Sequence, residues 1–130
     1  MDPVTHFEMP AKDKKRASKF YSTVFGWKLQ QLGPEMGEYL IAHTTETDAQ
    51  GMVKTPGNIN GGFYSPTEDP LSQRPSVVIA VKDIQASMKA VTKNGGKILR
   101  DPDEIPGIGT WVSFADSEGN RVSMLQPKRM

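Results

Sequence analysis

The sequence predicts an α+β fold built from two similar modules within one domain. Three observations support this: the chain has 130 residues, its two halves align with each other, and strand-like and helix-like segments follow in the same order in each half. That order is β-α-β-β-β. We expect the first module at about residues 1–64, an extended linker at about 65–75, and the second module at about 76–130.

An internal repeat emerges when the sequence is shifted by 70 positions. The shift places Ala11-Lys12-Asp13 on Val81-Lys82-Asp83 and Leu29 on Leu99. Identical residues are few, but their order is kept over about 40 positions. Because the predicted elements also match in order, a duplicated module explains the pattern better than chance does.

Hydrophobic periodicity and helix-end signals define the first module. Asp13 can cap a helix from about Lys14 to Phe25, and Gly26 can end it in the left-handed conformation. The residues expected on its buried face are Ala17, Phe20, Tyr21, Val24 and Phe25. Thr45–Asn60 is rich in Gly, Pro, Asn and Thr and is expected to form a long mobile loop. The predicted strands are Val4–Met9, Trp27–Gln31, Glu38–Thr44 and Gly61–Tyr64.

The second module repeats these signals. Asp83 can cap a helix from Ile84 to about Asn94, which Gly95-Gly96 ends. The preceding linker contains three prolines that favour an extended chain: Pro66, Pro70 and Pro75. The predicted strands are Val77–Val81, Lys97–Arg100, Thr110–Ala115 and Arg121–Gln126.

Strand alternation assigns the side chains to two faces of each sheet. The apolar residues expected to meet the helices are Phe7, Met9, Val77, Ile79, Val81, Val112, Phe114, Val122 and Met124. The residues expected on the opposite faces include both histidines of the chain and the whole candidate site: His6, Glu8, Tyr39, His43, Ser76, Trp111, Ser113, Arg121 and Ser123.

Composition excludes several classes of function. With 16 basic and 15 acidic side chains the net charge is +1, so we expect neither nucleic acid nor a cationic antibiotic as the partner. Cysteine is absent, which excludes thiolate metal sites and thiol chemistry. The longest strongly apolar run, Val77–Val81, is too short to span a membrane, and the N-terminus lacks a secretory signal. We therefore expect a cytoplasmic protein that does not bind membranes.

Several motifs resemble those of the vicinal-oxygen-chelate superfamily, which includes glyoxalase I, bleomycin-resistance proteins and extradiol dioxygenases. They are Val4–Pro10, Lys19–Tyr21, Val24–Trp27, Asn60–Tyr64 and Phe114–Arg121. The resemblance covers nearly the whole chain. It implies that the eight strands of two βαβββ modules form an incomplete barrel, a cup with helices outside and a ligand cavity inside. It also makes a homodimer plausible.

Metal-dependent members of this superfamily have four ligand positions, and the resemblance transfers them only in part. His6 matches the first position, but Ser76 and Ser123 occupy two others. The remaining position lies near Gly61-Gly62-Phe63, where the chain offers neither histidine nor carboxylate. Because zinc, nickel, manganese and iron sites need about three protein ligands, we expect no metal and no other cofactor.

The leading hypothesis is metal-independent binding of a small, partly aromatic or amphipathic molecule. Tyr39 and Trp111 would supply flat surfaces. The residues that would orient the ligand are His6, Glu8, His43, Ser76, Ser113, Arg121 and Ser123. The alternative is a metal-dependent lyase or isomerase resembling lactoylglutathione lyase (glyoxalase I), with His6 as ligand or base and Glu8 as a second catalytic group. A third reading is an interaction module that uses the loop Thr45–Asn60.

Overall fold

The computed structural model describes residues 1–128, which contain nine strands and two α-helices. They divide into two compact units. We call residues 6–75 module 1, and residues 1–5 together with 76–128 module 2. The α+β class is therefore confirmed, and the predicted order β-α-β-β-β holds in module 1, whereas module 2 has one additional strand, which makes nine strands in place of the expected eight.

Module 1 has one sheet and one helix. Its sheet has the order β2-β3-β4-β1, in which β1 runs parallel to β4 and the other pairs are antiparallel. Its elements are β1 (Val4–Pro10, of which the first two residues lie in module 2), α1 (Lys14–Phe25), β2 (Lys28–Gln31), β3 (Leu40–His43) and β4 (Asn60–Tyr64).

The ends of α1 lie where the sequence places them. The Asp13 carboxylate accepts a hydrogen bond from the backbone N–H of Arg16 at 2.9 Å, which satisfies one of the free N–H groups of the first turn. Gly26 follows the helix at φ 74°, and its N–H donates to the carbonyl of Ser22. The left-handed conformation at Gly26 would strain any residue with a Cβ atom.

The core of module 1 lies between the sheet and α1. Leu40, Ala42 and Phe63 are its buried centre. The residues packed against it are Phe7, Met9, Ala11, Tyr21, Trp27 and Leu29. Tyr21 and Trp27 stack with ring centroids 4.6 Å apart. The predicted orientation of Phe7 and Met9 is thus confirmed.

The predicted buried face of α1 is wrong for three of its five residues. Phe20, Val24 and Phe25 are 54%, 55% and 61% exposed. Only Ala17 and Tyr21 are half-buried. They lie four residues apart on the line of the helix that meets the sheet, whereas Phe20 and Val24 lie to one side of this line. The apolar stripe of α1 is therefore wider than the surface that covers it.

Module 2 has a sheet of the order β5-β9-β8-β6, with β7 paired to β8. Strands β5 and β9 are parallel, and the other pairs are antiparallel. Its elements are β5 (Ser76–Ala80), α2 (Ile84–Lys93), β6 (Lys97–Ile98), β7 (Asp103–Ile105), β8 (Gly109–Ala115) and β9 (Arg121–Pro127). The N-terminal residues join it through the backbone N–H of Ala80, which donates to the carbonyl of Pro3 at 2.9 Å.

The core of module 2 confirms most of the predicted faces. Its buried residues are Val81, Ile84, Val112, Phe114 and Met124, and those packed against them are Ile79, Met88, Val91, Ile98 and Val122. Val77 is the exception, because it is 37% exposed at the start of β5.

Several segments differ from the predicted elements. The short strand β7 was not predicted, and the predicted strand Lys97–Arg100 is only the two-residue β6. The linker is not extended throughout, because Pro70–Gln73 forms a 3-10 helix whose N-terminus is capped by Asp69. Within the loop after β3, Thr47 and Val53 form an antiparallel bridge.

Neither of the two helices in residues 1–128 has the length and apolar character that crossing a membrane requires.

Candidate functional site

The sheet of module 1 has a polar face opposite its core, and Glu8 lies at its centre. Phe7 and Met9 point into the core, so alternation along β1 directs Glu8 to the other face. Glu8 is nevertheless only 9% exposed. Its neighbour in the sheet is Gly62 on β4, which leaves room above the strand.

Two consecutive glycines on β4 make room for an aromatic ring on each face of the sheet. A Cβ atom at Gly61 would lie 2.6 Å from the Phe7 ring, on the core side. A Cβ atom at Gly62 would overlap the Tyr39 ring, on the polar side. Because strand residues alternate between faces, the pair Gly61-Gly62 explains how both rings lie close to the same strand.

Tyr39 reaches across Gly62 and donates a hydrogen bond from its phenol to the Glu8 carboxylate. Burial raises the pKa of the Tyr39 phenol far above its usual value, and the charge of Glu8, this hydrogen bond and the nearby Tyr64 raise it further. Tyr39 therefore stays protonated at physiological pH and acts as a hydrogen-bond donor to Glu8.

His6 lies two residues before Glu8, on the same face of β1 and opposite Asn60 of β4. It is an exposed residue, yet surrounding protein atoms remove enough water that desolvation lowers the pKa of its imidazole. The ring is therefore mainly neutral at pH 7 and can accept a proton. The side-chain oxygen of Asn60 is itself occupied, because it accepts hydrogen bonds from the backbone N–H groups of Thr44 and Thr45.

His43 lies at the end of β3, where it is half-buried opposite Lys28 of β2. Leu40 and Ala42 are in the core, so alternation directs His43 to the polar face. The four predicted site residues of the first module, His6, Glu8, Tyr39 and His43, thus share the polar face of its sheet.

The polar face of module 2 contains two serines in register. Ser113 of β8 and Ser123 of β9 are direct partners, and Ser123 also lies opposite Val78 of β5. Ser113 is 4% exposed and Ser123 is 0% exposed. Val112 and Met124, their neighbours in sequence, are in the core, which confirms that both serines point to the other face.

The hydroxyl oxygens of Ser123 and Ser76 are buried and have no hydrogen-bond partner among residues 1–128. Ser76 begins β5, two residues before Val78, so it shares the face of Ser123. Buried hydroxyls almost always have a partner, since they lose their hydrogen bonds to bulk water. These two atoms are thus the least satisfied polar groups of this face.

Trp111 is half-buried on β8, and one side of its indole is already covered. The guanidinium carbon of Arg100 lies 5.5 Å from the ring centroid, within cation–π range. Arg100 also forms a salt bridge of 2.6 Å with Asp103. Only the other side of Trp111 can act as the predicted flat surface.

The residues present do not fit the metal site of the metal-dependent members. No group of three or more His, Asp or Glu side chains within the described part of the chain could hold a metal ion. At two positions that match family ligands, the available atoms are the hydroxyl oxygens of Ser76 and Ser123, which are weak ligands for a cation at neutral pH. We therefore derive no chemical step through a metal.

The structure places all nine predicted site residues on polar faces, four in module 1 and five in module 2. Their roles in binding or catalysis stay predictions. Sequence reasoning missed three residues that shape these faces: Asn60, Gly62 and Arg100. Asn60 and Gly62 stood within the motif Asn60–Tyr64 without being assigned a role, and Arg100 carried a signal because it ends a predicted strand three residues before Asp103.

Comparison with known proteins identifies the family. Residues 4–124 match the model of the Glyoxalase/Bleomycin resistance protein/Dioxygenase superfamily, and the chain belongs to this superfamily. A glyoxylase-like domain-containing protein of Didymella fabae is 37% identical over 120 residues, which cover 90% of this chain and 88% of the relative.

Two further relatives are named lactoylglutathione lyase. The protein of Haemophilus influenzae is 25% identical over 96% of this chain and 93% of its own. The protein of Oryza sativa subsp. japonica is 30% identical over 95% of this chain but only 44% of its own length.

Solved structures agree in fold. A hypothetical protein of Bacillus halodurans has a TM-score of 0.67 at 17% identity, covering 99% of this chain and 96% of its own. A variant of Streptomyces coelicolor methylmalonyl-CoA epimerase in complex with 2-nitronate-propionyl-CoA has a TM-score of 0.70 at 14% identity, covering 98% and 96%. These likenesses confirm the predicted fold class.

Proposed function

We propose that this protein binds a small, partly aromatic or amphipathic molecule without a metal ion or other cofactor. The observation that carries the proposal is the donor set of module 2, where Ser76 and Ser123 offer buried hydroxyls instead of carboxylate or imidazole ligands. Such groups hydrogen-bond to an organic ligand, whereas a cation needs stronger donors.

Both polar faces combine apolar area with a few fixed hydrogen-bonding groups, which is typical of small-molecule sites. In module 1 the ring of Tyr39 lies beside the buried carboxylate of Glu8. In module 2 the open side of Trp111 lies on the same strand as Ser113. A ligand with an aromatic part and a polar end would contact an aromatic side chain with the one and a hydrogen-bonding group with the other.

Metal content tests this proposal directly. Protein purified without chelator should contain far less than one equivalent of zinc, nickel, manganese or iron by elemental analysis. Its melting temperature should not change when Ni²⁺, Zn²⁺ or Mn²⁺ is added. Near-stoichiometric metal, or a metal-dependent stabilisation that His6→Ala abolishes, would overturn the proposal.

Native mass spectrometry of the purified protein tests whether a small molecule is bound and measures its mass. We expect a bound species of small mass that is lost on denaturation, and its exact mass would identify the compound class. If neither a co-purified molecule nor any member of an aromatic compound library binds, the binding function is wrong.

A second candidate is a lyase or isomerase like the relatives named lactoylglutathione lyase. It is favoured by the pair His6 and Glu8, since an imidazole with a lowered pKa and a carboxylate share one face two residues apart. Formation or breakdown of lactoylglutathione, assayed with and without added metal, decides between the two. Turnover that His6→Ala and Glu8→Gln both remove would establish the enzyme.

The homodimer is part of the same proposal. The exposed apolar residues Phe20, Val24 and Phe25 of α1 support it, because they resemble a surface that a second chain could cover. Sedimentation velocity at micromolar concentration should show twice the mass of 14.3 kDa. A purely monomeric species would refute it.

A further inference from the structure

Two buried hydroxyl groups on one face of module 2 have no hydrogen-bond partner among residues 1–128. The oxygens of Ser76 and Ser123 are shielded from solvent and unpaired within residues 1–128. Ser123 is 0% exposed as a whole residue. A buried hydroxyl without a partner destabilises the folded state, so such groups are retained where a ligand or an ordered water completes them.

The sheet register places these hydroxyls at a separation that one small polar group can bridge. Ser123 lies opposite Val78, and Ser76 is two residues from Val78 on the same strand. Neighbouring strands lie about 4.8 Å apart and two residues advance about 6.6 Å along a strand, so the Cα atoms of the two serines are about 8 Å apart. A carboxylate has two oxygens, each able to accept an O–H hydrogen bond of about 2.7–2.8 Å. One carboxylate can therefore accept a hydrogen bond from each of the two serine hydroxyls at the same time.

The charge of this face selects an anion. Extending the β5–β9 register by two residues brings Arg121 opposite Ser76. Lys97 lies opposite Ala115 of β8 and adds a second positive charge to the face. Among the described strands of module 2 the only acidic residue on this face is Asp103, opposite Trp111, and its carboxylate is held by Arg100 at 2.6 Å. Basic side chains thus outnumber acidic ones on the described strands of this face.

We propose that Ser76, Ser123 and Arg121 bind the carboxylate group of a small organic acid. This inference rests on the proposed binding function and adds the chemical class of the ligand. The two hydroxyls donate to the carboxylate oxygens, and the guanidinium supplies the opposite charge. The open side of Trp111, on the same face, lies against the apolar part of the acid.

Three benzene derivatives of similar size but different charge test this assignment: benzoate, benzyl alcohol and benzylamine. We would measure their dissociation constants by titration calorimetry or NMR at pH 7 in low salt. Benzoate should bind at least about tenfold more tightly than benzyl alcohol, because hydrogen bonds to a charged group are stronger. Benzylamine should bind most weakly of the three.

Serine variants test whether the hydroxyls of Ser76 and Ser123 cause the preference for benzoate over benzyl alcohol. Ser123→Ala and Ser76→Ala should each weaken benzoate binding about tenfold or more and leave benzyl alcohol nearly unchanged. Ser87→Ala is the matched control, since Ser87 is half-buried on α2 in the same module. It should not alter the binding of either compound.

The stability of the ligand-free protein supplies a readout independent of binding. Ser123→Ala removes an unsatisfied hydroxyl, so its melting temperature should equal or exceed that of the wild type. A clear decrease would mean that the hydroxyl has a structural partner such as a fixed water, and would overturn the inference.

Arg121→Gln should abolish the preference for benzoate over benzyl alcohol.

The outcomes separate this inference from the proposed function. If benzoate and benzyl alcohol bind equally well and neither serine variant changes this, the carboxylate site is wrong while small-molecule binding stands. If none of the three compounds binds and elemental analysis finds stoichiometric metal, the proposed function fails and the carboxylate site fails with it.

Discussion

Replacing Tyr39 by phenylalanine tests the hydrogen bond at the centre of the polar face of module 1. The phenol donates to Glu8, which is only 9% exposed. A hydrogen bond to a charged group contributes about 1.5–3 kcal/mol, and its loss leaves a buried carboxylate less well satisfied. Tyr39→Phe should therefore lower the free energy of unfolding by about 1.5–3 kcal/mol at pH 7.

Module 1 offers a matched control for this substitution. The phenol of Tyr64 donates to the backbone carbonyls of Ser72 and Arg74, at 2.9 and 2.8 Å. These acceptors are neutral, so Tyr64→Phe should cost only about 0.5–1.5 kcal/mol. Urea unfolding followed by circular dichroism measures both values, provided that the m-value is unchanged.

A double-mutant cycle measures the interaction energy between Tyr39 and Glu8. In the Glu8→Gln background the acceptor is neutral, and Tyr39→Phe should then cost about 0.5–1.5 kcal/mol, close to the cost of Tyr64→Phe. The reasoning fails if Tyr39→Phe is no more destabilising than Tyr64→Phe in the wild type, or if its cost is the same with and without the Glu8 charge.

Three further predictions follow from the same contacts. The raised pKa of Tyr39 means that the unfolded chain releases this proton first, near pH 10. Stability present below pH 10 is therefore lost as the pH rises, and urea titrations should show a shallower loss for Tyr39→Phe. Gly62→Ala should cost about 1–3 kcal/mol because its methyl group overlaps the Tyr39 ring, and Tyr39→Ala should remove most of this cost when the two are combined. Met124→Ala should cost about 2–5 kcal/mol at a site only 2% exposed, whereas Met52→Ala, at 66% exposed, should change stability by less than about 0.5 kcal/mol. Equal effects for the two methionines would contradict the assigned core.

The faces of the strands could be predicted from the sequence because strand periodicity is strict. Phe7 and Met9 alternate with His6 and Glu8 on β1, and only one register buries the apolar pair. The start of α1 was also predictable, since Asp13 provides a local cap.

Helix periodicity predicts the buried face of a helix less reliably than strand periodicity predicts the buried face of a strand. It groups Phe20 and Val24 with Tyr21, but it cannot show how wide a surface the sheet covers, and both residues are exposed. The strand β7 depends on pairing with β8, which local sequence does not encode. Asp69-Pro70, by contrast, carried a signal for the 3-10 helix, because a capping residue followed by proline favours a helix start.

The buried polar groups of the two modules differ in their internal hydrogen bonds, and this difference indicates where a ligand would add most. In module 1 the buried carboxylate of Glu8 receives a hydrogen bond from Tyr39, and the amide oxygen of Asn60 is occupied by backbone N–H groups. In module 2 the hydroxyls of Ser76 and Ser123 have no such internal partner among residues 1–128. A carboxylate that already accepts a hydrogen bond gains less from a ligand than a hydroxyl that has no internal partner. Substitutions in module 1 should therefore act mainly on stability, and substitutions of the two serines should act mainly on affinity.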